Sequence, residues 1–218
     1  MSTNWDEMNK VEIPAAELLS AMGWRYVSSE TLEIERESLR QVVLPDRLSK
    51  KLRALNPWIS DDNIKKAIRE ITHIQATSLI DANKQLYTLL TYGGTVQQDV
   101  NDGLGYKGQT VKYIDFDNLE QNEFLFTRQF KVSSGKPPDI IPDIVLFVNG
   151  IPLALIECKS PIIVNPVGKG VEQILRYQEL EERFEGQGVP KLFETVQMVA
   201  TLCREKACYA TVGTPPKF

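Results

Sequence analysis

Two apolar runs flank Asn149-Gly150 in the segment Asp143-Ile-Val-Leu-Phe-Val-Asn-Gly-Ile-Pro-Leu-Ala-Leu-Ile-Glu-Cys-Lys159. Asn-Gly between apolar runs is a strong signal for a tight β-hairpin turn. Side chains alternate between the two faces of a strand, and here both faces are apolar. One face carries Val145, Phe147, Leu153 and Leu155, and the other carries Ile144, Leu146, Ala154 and Ile156. Strands of this kind are buried in the middle of a sheet, so the hairpin is predicted to form the centre of the fold.

Further strands and one helix are predicted around this hairpin. Alternating or apolar runs predict strands over residues 111–116 and 124–132 before it, and over residues 198–203 and 207–212 after it. A stretch rich in Glu and Arg, residues 167–184, predicts a helix between the hairpin and the last two strands.

The first half of the chain has helical periodicity. Helices are predicted over residues 11–22, 63–74 and 78–90, with Ser60-Asp61-Asp62 as an N-cap for the second. Gly23 and Gly93-Gly94 are expected to end the first and third. The fold class is therefore α/β, a mixed β-sheet flanked by α-helices with a helical N-terminal half. We expect one domain over residues 1–218, with the helical part at about 1–95 and the sheet core at about 110–213.

Composition excludes several classes of protein. The 218 residues carry 25 Lys+Arg and 29 Asp+Glu, a net charge of −4, which does not favour non-specific coating of nucleic acid. His73 is the single histidine, so an HExxH zinc site is excluded. The three cysteines have no disulfide-framework spacing, which is typical of a reducing compartment. The sequence has neither a membrane-length apolar run nor a signal peptide, so a cytoplasmic protein without membrane contact is expected.

A glycine-rich stretch imitates a phosphate-binding loop. Gly103-Leu-Gly105-Tyr-Lys-Gly108 matches G-x-G-x-x-G, and a P-loop match fails at Gln109, where lysine is required. Both loops need a buried strand before the glycines and a helix after them. The flanking residues predict neither, so no nucleotide site is expected here.

Ionisable groups stand at the open end of the central hairpin. Asp143 precedes the first strand, and Glu157 and Lys159 close the second. A plain two-residue turn would pair Asp143 with Ile156 and send Glu157 to the opposite face. A three-residue loop or a β-bulge would shift the register and bring the two acids and Lys159 to one face. If the two acids and Lys159 form one site, the two strands of the hairpin must therefore pair in an irregular register.

Two carboxylates on one face form a hard-oxygen site suited to Mg²⁺ or Mn²⁺. A divalent ion with a lysine beside it can catalyse phosphodiester hydrolysis. The pattern alone also fits ordinary ion pairs at strand ends. A glycosidase uses two carboxylates too, but it does not need the lysine.

At these residues the sequence resembles the PD-(D/E)xK nuclease superfamily, and more narrowly the N-terminal region of the restriction (R) subunit of type I restriction-modification enzymes. The resemblance covers most of residues 60–218. It rests on Phe124-Leu-Phe-Thr-Arg-Gln-Phe, Pro142-Asp143-Ile-Val-Leu-Phe-Val-Asn-Gly-Ile-Pro-Leu, Ile156-Glu157-Cys158-Lys159-Ser160-Pro161 and Ala207-Cys-Tyr-Ala-Thr-Val-Gly-Thr-Pro-Pro-Lys-Phe.

The resemblance implies a type I site-specific deoxyribonuclease that cleaves double-stranded DNA with Mg²⁺, for which Mn²⁺ can substitute. Asp143, Glu157 and Lys159 would be catalytic. The ion would be held by Asp143, Glu157 and the backbone carbonyl of Cys158, with Glu12 in the first helix as a further candidate. Gln173 and Tyr177 match the family's Q-x-x-x-Y pattern and would support DNA binding, with Arg128 a weaker candidate.

Family members continue into an ATP-driven motor and dock on modification (methyltransferase) and specificity subunits. We therefore expect this chain to be a fragment without the motor, so that ATP belongs to the absent region alone. Two other functions stay open: a degenerate nuclease fold used for DNA grip or subunit assembly, and a stand-alone repair nuclease.

Overall fold

A computed structural model describes residues 7–99 and 105–215 of the chain. Within these ranges a mixed sheet of six strands has the order β1-β4-β5-β6-β7-β8, and β2 and β3 form a separate antiparallel pair. The strands are β1 (Arg25–Tyr26), β2 (Gly94–Asp99), β3 (Tyr106–Val111), β4 (Phe124–Arg128), β5 (Ile144–Val148), β6 (Ile151–Cys158), β7 (Met198–Cys203) and β8 (Lys206–Ala210). The α-helices are α1 (Ile13–Ala21), α2 (Ser29–Ile34), α3 (Pro45–Leu55), α4 (Asp61–Thr72), α5 (Leu79–Tyr92), α6 (Pro166–Gln178) and α7 (Pro190–Phe193). The predicted mixed sheet flanked by helices is confirmed.

The predicted hairpin lies at the centre of the sheet, as β5 and β6. Val148 pairs with Ile151 across a two-residue turn in which Asn149 and Gly150 both have positive φ, 53° and 83°. This is the geometry that Asn-Gly favours. The three-residue loop considered above does not form.

A β-bulge in β6 changes the register. Phe147 pairs with Pro152, but Leu146 pairs with Ala154, so Leu153 is the extra residue. Proline has no N–H to donate to the ladder and is therefore found in strands mainly at edges or bulges. The Leu153 carbonyl accepts a hydrogen bond from Gln197 N at 2.8 Å. Ladder pairing then continues to Ile144 and Ile156, and one further step places Asp143 opposite Glu157. The irregular register is confirmed, and the bulge produces it.

Helices cover the sheet on both faces. One face packs in a large core with helices α3 to α7 and contains Val145, Phe147, Leu153 and Leu155. The other packs against the first helix through a smaller cluster with Ile144, Leu146, Ala154 and Ile156. Both apolar faces of the hairpin are therefore covered as its sequence predicted.

Side-chain caps set the helix starts in the first half. Ser60 accepts from Asn63 N ahead of α4, and Ser78 accepts from Asp81 N ahead of α5. Gly93 follows α5 with φ +81°, a conformation that favours glycine. Before α1, residues Met8–Glu12 form a π-helical turn that extends the first helix towards the N-terminus.

Three expectations about local structure need correction, and one strand was missed. The strand predicted over residues 124–132 ends at Arg128, where Gln129 enters the left-handed region with φ 54°. Residues 112–116 are irregular, because β3 occupies Tyr106–Val111 and pairs with β2. Helix α6 ends at Gln178, where Glu179 enters the left-handed region with φ 52°. The short strand β1 pairs in parallel with β4 and gave no signal in the sequence.

Gly105 directly precedes β3 and Gly108 lies within it, so a strand and not a helix directly follows these glycines, while Gly103 lies outside the described residues. No helix in the described ranges has both the length and the apolar character needed to cross a membrane.

Candidate active site

The candidate site lies at the open end of the central hairpin. Asp143 comes one residue before β5, Glu157 lies near the end of β6, and Lys159 follows β6 directly. All three are buried: Glu157 is 0% exposed, and Asp143 and Lys159 are each 7% exposed. Burial of ionised groups is costly unless they are paired, so their mutual contacts decide what the site can do.

The Lys159 ammonium lies among three oxygen atoms. Its Nζ is 2.7 Å from the Cys158 carbonyl oxygen, 3.2 Å from Glu157 Oε2 and 3.8 Å from Asp143 Oδ2. These are the three oxygens proposed from the sequence as ligands of a divalent ion. All three oxygens thus face the Lys159 ammonium, which places a positive charge among them.

Asp143 is fixed in place by two hydrogen bonds. Its Oδ2 accepts from Cys158 N at 2.7 Å, and its Oδ1 accepts from Gln129 Nε2 at 3.1 Å. The first bond joins Asp143 to the strand that carries Glu157. It can form because the bulge sets Asp143 opposite Glu157.

Glu12 reaches the same region from the first helix. Its Oε1 pairs with Arg128 Nε at 2.7 Å, and its Oε2 accepts from Gln129 Nε2 at 3.1 Å. Arg128 is thus engaged in an ion pair with Glu12, which is a common role for an arginine on a strand and differs from the predicted contact with DNA. Gln129 joins Glu12 to Asp143, because its amide donates to both carboxylates.

Sequence reasoning missed two residues at this site. Gln129 has φ 54°, a rarely populated conformation for a residue with a side chain, and such residues cluster at functional sites. Glu7 accepts from Ser160 N at 3.1 Å, and burial raises the pKa of its carboxyl, opposed by Lys159. The only sequence signal for Glu7 was its position just before the first predicted helix. Glu12, which lies within that helix, fitted the expected acidic position better.

Burial strongly raises the pKa of the Glu157 carboxyl, and the neighbouring Asp143 carboxylate raises it further, while Lys159 opposes both. Burial also raises the pKa of Glu12, opposed by the bond to Arg128. Burial alone would lower the pKa of Lys159, but Glu157 and Asp143 outweigh it and the pKa is raised. The amine therefore stays charged.

Acidic groups exceed basic ones at the site. With all groups ionised, Glu7, Glu12, Asp143 and Glu157 oppose the charges of Lys159 and Arg128, which leaves two formal negative charges. A divalent cation would balance that excess.

The donor atoms at the site are oxygens, as a hard divalent cation requires. Within residues 7–99 and 105–215, no three His, Cys, Asp or Glu side chains are spaced to hold an ion by themselves. Two carboxylates and the Cys158 carbonyl nevertheless converge, and all are oxygen donors of the type that Mg²⁺ prefers. Glu157 Oε1 is buried and has no hydrogen-bond partner among the described residues. These observations fit a Mg²⁺ or Mn²⁺ site.

Helix α6 packs beside these groups. Gln173 Nε2 donates to the Tyr177 hydroxyl at 2.7 Å, so the two side chains share one face of the helix. Tyr177 is buried, and burial raises the pKa of its hydroxyl, with a further increase from the charge of Glu157. The pair therefore lies within electrostatic reach of the acidic site.

A mixed sheet with acids and a lysine at the end of its central hairpin defines a nuclease-like α/β domain. The chain matches the family described as "Type I restriction enzyme R protein N terminus" over residues 5–218, and it belongs to this family.

Curated relatives agree with this assignment. The "Putative type I restriction enzyme MjaIXP endonuclease subunit" of Methanocaldococcus jannaschii is 34% identical over 158 residues, which is 69% of this chain and 15% of that protein. The "Type I restriction enzyme HindI endonuclease subunit" of Haemophilus influenzae is 30% identical over 159 residues, 71% of this chain and 15% of that protein. The matched part is thus a small fraction of each relative.

Proposed function

We propose that this chain carries the metal-dependent endonuclease site of a type I restriction enzyme R subunit and cleaves phosphodiester bonds of double-stranded DNA. One observation carries the proposal. Glu157 Oε2, Asp143 Oδ2 and the Cys158 carbonyl oxygen all approach the Lys159 ammonium, within 3.8 Å. Three oxygens that surround one cation in this way are chemically suited to bind a divalent metal ion.

Asp143, Glu157 and the Cys158 carbonyl would hold Mg²⁺, or Mn²⁺ in its place. When bound, the ion would polarise the scissile phosphate and lower the pKa of a water molecule. Lys159, whose Nζ lies 3.2 Å from Glu157 Oε2, would supply a positive charge beside the ion. That charge can stabilise the negative charge that develops on the phosphate.

The surrounding residues have supporting roles in this proposal. Gln129 orients Asp143, and Arg128 neutralises Glu12 through the ion pair at 2.7 Å. Glu12 remains a candidate for the metal environment, because Gln129 connects it to Asp143. Gln173 and Tyr177 are proposed to contact the DNA backbone from α6.

The larger assembly is proposed from the relatives. Their names describe endonuclease subunits of type I restriction enzymes. We infer that this chain works with modification and specificity subunits, that ATP is used by a motor outside the 218 residues, and that the complex acts in the cytoplasm.

Calorimetric titration with Mn²⁺ tests the site directly. The wild-type chain is expected to bind Mn²⁺, and Asp143→Asn, which keeps the shape but removes the charge, is expected to lose that binding. Absence of binding in both proteins would favour the degenerate scaffold for DNA grip or assembly.

Cleavage is tested with supercoiled plasmid and the R subunit assembled with its partner subunits. Nicking that needs Mg²⁺ and disappears in the Asp143→Asn complex is the expected result. Equal nicking by the isolated R subunit would favour the stand-alone nuclease instead.

A further inference from the structure

Thr201 lies directly beside the proposed metal ligand Glu157. It is in β7, and the parallel pairing of β6 with β7 makes Glu157 and Thr201 register partners. Paired residues of neighbouring strands project from the same face of a sheet, about 5 Å apart. The Thr201 side chain therefore projects from the same face of the sheet as the Glu157 side chain, on the neighbouring strand.

The Thr201 hydroxyl is buried without a partner. The residue is 1% exposed, and Oγ1 makes no hydrogen bond to any part of the chain that the structure describes. Buried hydroxyl groups are usually hydrogen-bonded, so an exception needs an explanation. Glu157 Oε1 is in the same condition.

Helix α6 closes over this hydroxyl at a glycine. A Cβ on Gly170 would collide with Thr201 Oγ1 and would also approach Lys159 Cγ, at 3.4 Å. The missing side chain lets the helix backbone press on Thr201 and Lys159 together. The hydroxyl is therefore confined to the space between α6 and the acidic site.

The two unpartnered atoms are chemically complementary. A threonine hydroxyl can donate a hydrogen bond, and an ionised carboxylate oxygen can accept one. Glu157 Oε2 already accepts a hydrogen bond from Lys159 Nζ at 3.2 Å.

We propose that Thr201 is a positioning residue that donates a hydrogen bond to Glu157 Oε1 and so holds Oε2 towards the bound metal ion. The inference rests on the proposed function, because it assigns a task to a residue behind the metal site. Thr201 itself touches neither metal nor DNA. Residues that orient metal ligands in this way commonly change metal affinity by 10-fold to 100-fold when they are mutated.

The test compares Thr201→Val with Thr201→Ser in the full 218-residue chain. Valine keeps the branched shape without the hydroxyl, and serine keeps the hydroxyl. Calorimetric Mn²⁺ titration is expected to show about tenfold weaker binding for Thr201→Val and a change of about twofold or less for Thr201→Ser. The Tm without metal provides the folding control.

Unchanged affinity in Thr201→Val, or equal weakening in both variants, would overturn the inference and leave the proposed function standing. Lack of Mn²⁺ binding by the wild type would overturn both. If Thr201→Val does not fold, Thr201→Ala removes the hydroxyl without adding bulk and is judged by the same comparison with Thr201→Ser.

Discussion

The two ends of the β5–β6 hairpin bury polar groups in different ways. At the turn, Asn149 is 0% exposed, and its Nδ2 donates to the Tyr113 carbonyl at 2.9 Å and to Asn122 Oδ1 at 2.8 Å. Its Oδ1 accepts from Glu123 N at 2.8 Å. At the open end, Glu157 is equally buried, but its Oε1 has no partner within the described residues.

This difference fits a structural role for Asn149 and the ligand-binding role proposed for Glu157. Satisfied buried groups rigidify a fold, whereas an unsatisfied buried charge opposes folding. The raised pKa of Glu157 expresses that cost, because burial and Asp143 both disfavour the ionised form. We infer that the turn end stabilises the hairpin and that the open end is kept for a ligand.

The largest expected effect comes from Glu157→Gln. Loss of the carboxylate should abolish Mn²⁺ binding and lower DNA cleavage by the assembled complex by about a thousandfold or more, because metal stabilisation of the transition state contributes several kcal/mol. The unfolding free energy should stay equal or rise, since a buried charge is removed. Calorimetry, plasmid nicking and urea unfolding measure the three quantities. Glu120→Gln, at an exposed carboxyl, is the matched control and should change none of them.

Asn149→Gly should have the next largest effect, on stability. Glycine keeps the positive φ of the turn but leaves buried partners without hydrogen bonds, which should cost about 2–4 kcal/mol. Asn165→Gly is matched in substitution and in backbone, since Asn165 has φ 51° and caps α6 from an exposed position. It should cost a few tenths of a kcal/mol. A cost for Asn149→Gly no larger than that for Asn165→Gly would contradict a stabilising role for the turn end of the hairpin.

The pH dependence of stability should distinguish the ends as well. The folded pKa of Glu157 lies above its ordinary value of 4.5, so the folded state binds this proton more tightly than the unfolded state. Wild-type stability relative to Glu157→Gln should therefore fall as pH rises from 4.5 through the raised pKa, by at most about 1.4 kcal/mol per pH unit. The raised pKa values of Glu7 and Glu12 act in the same direction in both proteins and cancel in the comparison.

Urea unfolding with EDTA at a series of pH values measures this difference. Parallel curves for wild type and Glu157→Gln would contradict it. In wild type, Mn²⁺ should restore stability above the raised pKa, since binding to the folded state adds to its free energy of unfolding.

The smallest effect is expected for Tyr177→Phe. Gln173 loses a hydrogen-bond acceptor but remains partly exposed to water, so the stability cost should be about 1 kcal/mol or less. Mn²⁺ affinity should be unchanged, and cleavage by the assembled complex should fall about fivefold through weaker DNA contact. A loss of Mn²⁺ affinity would instead place Tyr177 with the metal site.

Sequence periodicity predicted the elements that local forces decide. Ser60 and Ser78 cap α4 and α5 with their side-chain oxygens, and Asn149-Gly150 forms the tight turn. Residues 112–116 alternate like a strand but pair with no strand in the described ranges, so they remain irregular. Strand β1 is two residues long and exists only because β4 lies beside it.

The candidate site shows the same division more sharply. Chain order and residue type alone indicated Asp143, Glu157 and Lys159. Gln129 was not indicated, because its role depends on a left-handed backbone at the end of β4 that no local pattern requires. Thr201 was not indicated either, because its neighbour Glu157 lies 44 positions away and meets it only through the pairing of β6 with β7.

The sequence by itself therefore determined the kind of fold, the buried hairpin and the chemistry available at its open end, since periodicity and residue type act locally. The tertiary structure decided whether those groups could act together. The bulge at Leu153 shifted the register by one residue and brought Glu157 opposite Asp143. The reason is geometric: side chains alternate along a strand, so one extra residue reverses the face on which every later side chain lies.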